Sequence, residues 1–170
     1  QAHIGILGSR ENIAKAKSEI TSNLRCDGVV IIPFGDNLLE KALSKKWSGR
    51  IIRVAIEGFS FNCLGLNDQH FASQGIEPDY ISQIDMQNNF IFFEGSKFKL
   101  PLEGRHNAMN FLMALAVAKE LGLSIKNLDQ LKIDMPMGRN RLVDCGQYLV
   151  LDETYNASPE SVIASLELLV

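Results

Sequence analysis

The chain has 170 residues, 46% of them apolar and 22% charged, with a formal net charge of −3. That is the make-up of a folded globular chain with room for one sizeable core, or for one domain and part of another. The acidic balance argues against a nucleic-acid or anionic-membrane partner, and no apolar run is long enough to span a bilayer. Three scattered cysteines, Cys26, Cys63 and Cys145, are too few for a disulfide framework or a zinc site and suit a reducing, cytoplasmic setting.

In chain order, residues 10–24 place Ile13, Ala16, Lys17 and Ile20 at helical spacing, with Ser9 and Asn12 as capping candidates. "DGVVIIP" is a β-branched run closed by proline, a buried strand. "DNLLEKALSKK" predicts a helix with Leu38, Leu39, Ala42 and Leu43 facing inward, and "GRIIRVAIEG" a second strand. Strand, helix, strand in that order predicts a parallel unit with a crossover helix. Then "PDYISQIDMQ", "NNFIFFEG" and "SKFKLPLEG" read as a β-meander with tight turns. A long apolar helix over 104–122 follows, then a short one over 124–133. "DMPMGRNR" breaks the pattern and marks a domain boundary near residue 135; beyond it come one strand, "QYLVLD", and a helix capped by Ser158 with Pro159 at its first position. The sequence opens without methionine and stops inside an amphipathic helix, so a fragment of a longer protein is expected.

Four places could carry chemistry. Asn107 and Asn110 lie three apart on one helix face. A carboxamide complements the N6/N7 edge of adenine, but such residues also cap helices and satisfy loops. Arg105 and His106 just before them could meet phosphate or solvent. Asp152 and Glu153 end a strand, where ribose hydroxyls bind in open α/β sheets; a solvated strand end is the plainer alternative. Arg139 and Arg141 lie in a glycine-containing connection, within reach of a phosphate. His3 could ligate a metal. Lys17, between Ile13 and Ile20, has reason to shed its charge on a sheltered face or to snorkel outward. His70 and the cysteines have no partner visible in the sequence.

These places, in this order, resemble the Mur ligase family. "AHIGILGSRENIAKAKSEI", "GRHNAMNFLMALAVA" (the Asn-x-x-Asn-x-x-Ala-Ala-x-Ala pattern, with Leu115 for one alanine), "PMGRNR" and "DETYNASPES" carry the likeness. The Tyr-Asn-Ala stretch favours the member that adds D-alanyl-D-alanine to a UDP-N-acetylmuramoyl-tripeptide. The third-residue-adding ligase, a folylpolyglutamate synthase-like relative and a non-catalytic nucleotide-binding domain are the alternatives.

The resemblance implies an α/β fold: a P-loop-NTPase-like central domain over residues 1–135, with a parallel sheet, helices and a small antiparallel meander, then the first strand and helix of a Rossmann-like C-terminal domain over 136–170. It implies ATP-dependent amide formation through an acyl phosphate in peptidoglycan precursor synthesis, in the bacterial cytoplasm, by a monomer with small-molecule substrates. Asn107 and Asn110 would hold adenine, Arg139 the phosphates, and Asp152 or Glu153 the ribose. Tyr155 and Asn156 would touch substrate. His3 and a carbamylated Lys17 would be catalytic and hold Mg2+. The chain departs from the family where "PFGD" stands for Asn-Ala-Asp-Asp, where Glu153 replaces an aspartate, and where Asn140-Arg141 follows Gly-Arg. The glycine-rich phosphate loop does not occur in it. The 170-residue piece alone is therefore expected not to hydrolyse ATP; phosphate release above background from the purified piece would contradict this.

Overall fold

The computed structural model describes residues 4–58, 76–126, 128, 131, 133–134, 136–139, 141–155, 157, 159–167 and 169. His3, Cys63, His70, Asn156 and Ser158 lie outside the described residues, as does part of the short helix expected over 124–133.

Two helices open the described chain, α1 (Ile4–Leu7) and α2 (Arg10–Ser18). Ser9 caps α2: its Oγ accepts from the Asn12 N–H at 3.1 Å. The Asn12 side chain does not cap but donates to the Leu7 carbonyl at 2.7 Å, latching α1 to α2. The expected inner face is a correction. Ala14, Ser18 and Thr21 are buried, whereas Lys17 is exposed and Ile20 is 77% exposed. Small side chains at i, i+4 and i+7 let α2 pack closely against the next helix. The Ser18 and Thr21 hydroxyls donate to the Lys15 and Ser18 carbonyls, each at 2.7 Å, so their burial leaves no polar atom unpaired.

Strand β1 (Val29–Pro33), helix α3 (Asn37–Leu43) and strand β2 (Arg50–Ile56) form the expected parallel unit, with Val29 opposite Arg50 and Pro33 opposite Val54. Asp36 caps α3 by accepting from the Leu39 N–H at 3.0 Å. Along β2, Ile52, Val54 and Ile56 are buried on one face. Arg53 points to the other face, where its guanidinium donates to both carboxylate oxygens of Glu40 in α3, at 2.7 and 2.9 Å. Side chains alternate across a strand, so this pair places α3 opposite the β2 core face.

The meander is present as β3 (Tyr80–Asp85), β4 (Phe90–Phe93) and β5 (Ser96–Lys99), all antiparallel neighbours. It is not a separate layer. Strand β3 also pairs with β2 in parallel, Val54 opposite Tyr80, and the five strands make one mixed sheet in the order β1-β2-β3-β4-β5.

Helix α4 (Arg105–Glu120) lies across that sheet. Its Ala108, Phe111, Leu112, Leu115 and Ala116 share one buried cluster with Ile52, Val54 and Ile56 of β2 and with Ile91 and Phe93 of β4. Glu120 at its last turn pairs with Arg50 at the start of β2, and Lys119 pairs with Glu94 beyond β4. The helix therefore runs antiparallel to β2, and its first turn sits over the carboxyl end of the parallel strands.

Beyond residue 135 the structure holds two strands where the sequence predicted one. Strands β6 (Arg141–Asp144) and β7 (Leu149–Asp152) form an antiparallel hairpin, a sheet of its own, before helix α5 (Pro159–Glu167). "RLVD" escapes the sequence pattern because it is four residues long and mostly exposed, with no inward alternation.

Leu112 is fully buried at the centre of the α4–sheet contact. Leu112→Ala is expected to lower the unfolding free energy by about 2–5 kcal/mol, read from urea denaturation of the chain. A loss near zero would show that α4 does not carry the core.

Candidate functional site

The first two turns of α4 bring Arg105, His106, Asn107 and Asn110 to the carboxyl edge of the sheet, where open α/β sheets bind ligands. Glycine stands at the helix N-cap because that residue has φ 101°, which suits no ordinary side chain. With no capping side chain there, the first N–H groups of α4 depend on other partners.

Neither asparagine is in the core. Asn110 is exposed, and its carboxamide makes no hydrogen bond to any described residue. Asn107 is half-buried, and its Nδ2 donates to the Glu103 carbonyl at 2.6 Å. It thus ties the chain entering the helix rather than capping it. One donor is committed, which leaves the acceptor face of the amide for a ligand.

Beside this turn lies an open cavity of about 440 Å3, lined by Glu57 and Gly58 at the end of β2, by Ile84, Asp85, Met86 and Gln87 at the end of β3, and by Arg105. The asparagines do not line it. Glu57 accepts from Gln83 Nε2 at 2.7 Å, and Asp85 accepts from the Asn88 backbone and side chain at 3.1 and 2.8 Å. The Arg105 guanidinium is exposed and pairs with no described acid. Glu57 and Asp85 were missed in the sequence, although the rule that singled out Asp152 applies to them: acids closing strands of a parallel set.

The second group of residues sits in the hairpin and its following turn. Asp152 Oδ1 accepts from the Thr154 hydroxyl at 2.7 Å and from the Thr154 N–H at 3.2 Å. Its Oδ2 accepts from the Gly138 N–H at 3.2 Å. The Thr154 hydroxyl, helped by the Thr154 and Gly138 N–H groups and by the Arg141 charge, holds the Asp152 carboxyl below its usual range. Both oxygens of Asp152 are thus engaged within the chain.

Glu153 is half-buried and acts electrostatically toward α4. Burial pushes the His106 imidazole below its usual value although the residue keeps an exposed edge, and the Glu153 and Glu167 carboxylates oppose that shift.

The Gly138 N–H and C=O are both held by this turn, the carbonyl accepting from the Tyr155 N–H at 2.9 Å. Next to it the Arg139 guanidinium stacks on the Tyr155 ring, 3.8 Å from its centroid. The structure thus joins Arg139, Asp152 and Tyr155. It leaves Lys17 exposed on α2, in no cluster with the other candidate residues among the described ones. His3 and Asn156 lie outside the described residues.

The model of the Mur ligase middle domain matches residues 1–118. The chain belongs to the Mur ligase family. Over 170 residues this Mur ligase chain is 36% identical to the UDP-N-acetylmuramoyl-tripeptide–D-alanyl-D-alanine ligase of Synechocystis sp., a match covering 99% of the chain and 33% of that protein. The enzyme of the same name from Treponema pallidum is 30% identical, with 98% and 33% covered. MurF from Acinetobacter baumannii superposes with a TM-score of 0.71 at 28% identity, over 99% of the chain and 35% of that structure. A MurF ligase from Thermotoga maritima in complex with ADP shares the fold, with a TM-score of 0.69 at 20% identity. The chain spans about a third of the length of the curated relatives it matches.

The depressed Asp152 carboxyl gives a signed pH effect. The stability it contributes is fully present above the ordinary aspartate pKa and is lost as pH falls through the depressed folded value. Asp152→Asn is expected to flatten the acid limb of the melting temperature plotted against pH, and an unchanged limb would refute the linkage. Gly138 has φ +77°, and a Cβ there would meet the Tyr155 nitrogen at 2.9 Å. Gly138→Ala is therefore expected to destabilise the turn by more than about 1 kcal/mol, seen as faster amide exchange at Tyr155.

Proposed function

We propose that the chain is part of an ATP-dependent ligase that joins D-alanyl-D-alanine to a UDP-N-acetylmuramoyl-tripeptide. The observation that carries this reading is the match of curated ligases of that name along 98–99% of the chain. Residues 1–135 are then the central nucleotide-binding domain and 136–170 the start of the C-terminal one. The separation of the hairpin sheet from the five-stranded sheet supports that division.

In this reading the tripeptide carboxylate attacks the γ-phosphorus of ATP and releases ADP, leaving an acyl phosphate. The amine of D-alanyl-D-alanine then adds to the acyl carbon, loses a proton and expels phosphate. Such steps are accelerated mainly by positioning and by charge neutralisation. Asn110 and the free acceptor of Asn107 suit the donor and acceptor edge of adenine. Glu153, whose charge is felt at His106, suits the ribose hydroxyls, and Arg139 the phosphates. Tyr155 stands in the turn after β7 and would touch the substrate, and Asn156, outside the described residues, would join it. The complex of the Thermotoga relative with ADP is in keeping with nucleotide use.

Magnesium would neutralise phosphate charge when bound, and His3 with a carbamylated Lys17 would be this chain's contribution to it. Among the described residues no three His, Cys, Asp or Glu side chains converge. An unmodified Lys17 offers a cation where magnesium takes oxygen. The described donors alone do not fit the ion.

The test uses the full-length polypeptide with ATP, UDP-N-acetylmuramoyl-tripeptide and D-alanyl-D-alanine. Phosphate release that requires all three, with the pentapeptide product seen by mass, is expected; release without D-alanyl-D-alanine would refute the assignment. Lys17→Ala is expected to abolish ligation and leave ADP affinity within about twofold. Ligation that survived would remove Lys17 from the reaction.

A further inference from the structure

The turn after β7 does more than end a strand. It is a mould for the arm that carries Arg139. Gly138 is buried, and its N–H donates to Asp152 Oδ2 at 3.2 Å while its C=O accepts from the Tyr155 N–H at 2.9 Å. No side chain fits there, since a Cβ would stand 2.9 Å from the Tyr155 nitrogen and 3.0 Å from the Thr154 hydroxyl. The arm therefore meets the turn backbone to backbone, and the next residue emerges with its direction set.

Arg139 would otherwise be a long, exposed side chain with several free torsions. Its guanidinium instead lies over the Tyr155 ring, 3.8 Å from carbon to centroid. With its central carbon held over the ring, the guanidinium still offers its N–H groups, a fork that matches phosphate oxygens. Those groups donate to no described residue. The fork is thus oriented and unspent. The same turn consumes both oxygens of Asp152, which makes that acid part of the mould.

We propose that Tyr155 is a positioning residue: its ring pre-orients the Arg139 guanidinium for an anionic phosphate ligand, and Asp152 holds the turn that presents both. This rests on the reading of Arg139 as a nucleotide-phosphate contact. A pre-oriented cation binds without the entropy loss of ordering a free arginine. Removing the ring should weaken phosphate binding through Arg139 and through nothing else.

The experiment measures the ADP affinity of the full-length polypeptide by titration calorimetry, independently of ligation. Arg139→Ala is expected to weaken ADP binding by about tenfold or more, and Tyr155→Ala by about three- to tenfold. Tyr155→Phe keeps the ring and should restore the affinity. Tyr155→Ala added to Arg139→Ala should cost nothing further, because the ring acts only through the arginine. Adenosine, which lacks phosphate, should bind all four variants alike.

Three results would overturn the proposal. If Arg139→Ala weakens ADP and Tyr155→Ala does not, the platform role fails while the nucleotide reading stands. If the two changes add fully, or if Tyr155→Phe fails to restore affinity, the ring acts elsewhere. If Arg139→Ala leaves ADP affinity intact, both the platform role and the phosphate assignment fail.

Discussion

The burial of one face of α4 against the mixed sheet governs where everything else stands. Ala108, Leu112, Leu115 and Ala116 leave no freedom to rotate the helix without opening the core. The pairing of Glu120 with Arg50 and of Lys119 with Glu94 sets which end is which. Exposed ion pairs of this sort contribute little stability, so packing supplies the energy and the charges supply the direction. Once both are set, Asn107 and Asn110 must lie at the carboxyl edge of β1 and β2, on the side the core does not use. The amides owe their place to the hydrocarbon opposite them.

Much of this was legible in the sequence, for identifiable reasons. The β-branched run Val29–Pro33, the alternation in Arg50–Ile56 and the turns around Asn88 and Gly95 all specify their own local structure, and each appears where expected. The inward face of α2 did not, because its buried stripe is Ala14, Ser18 and Thr21. Small self-bonded hydroxyls carry no hydrophobic signal, and the adjacent Ile20 does. The pairing of β3 with both β2 and β4 was equally invisible, since a strand's partners are a matter of long-range packing. The site was readable as a set of residue types and not as a set of duties. Two neighbouring acids looked interchangeable until geometry gave Asp152 to the turn.

That division of labour between adjacent acids follows from the pleat. Consecutive residues leaving a strand point to opposite sides, so one carboxylate can close the turn on the Gly138 arm only if its neighbour faces elsewhere. The Thr154 and Gly138 bonds fall to Asp152, and Glu153 stands half-buried after it.

The outermost described strand beyond the meander has a bearing on solubility. A bare sheet margin offers unpaired backbone groups to any other chain, and short margins rich in lysine discourage that stacking. Strand β5 is four residues long and carries Lys97 and Lys99, with the Lys97 ammonium 3.8 Å from the Phe90 ring centroid. The cation sits over an aromatic that would otherwise invite a neighbour. The sheet thus guards its own rim against fibril-like growth.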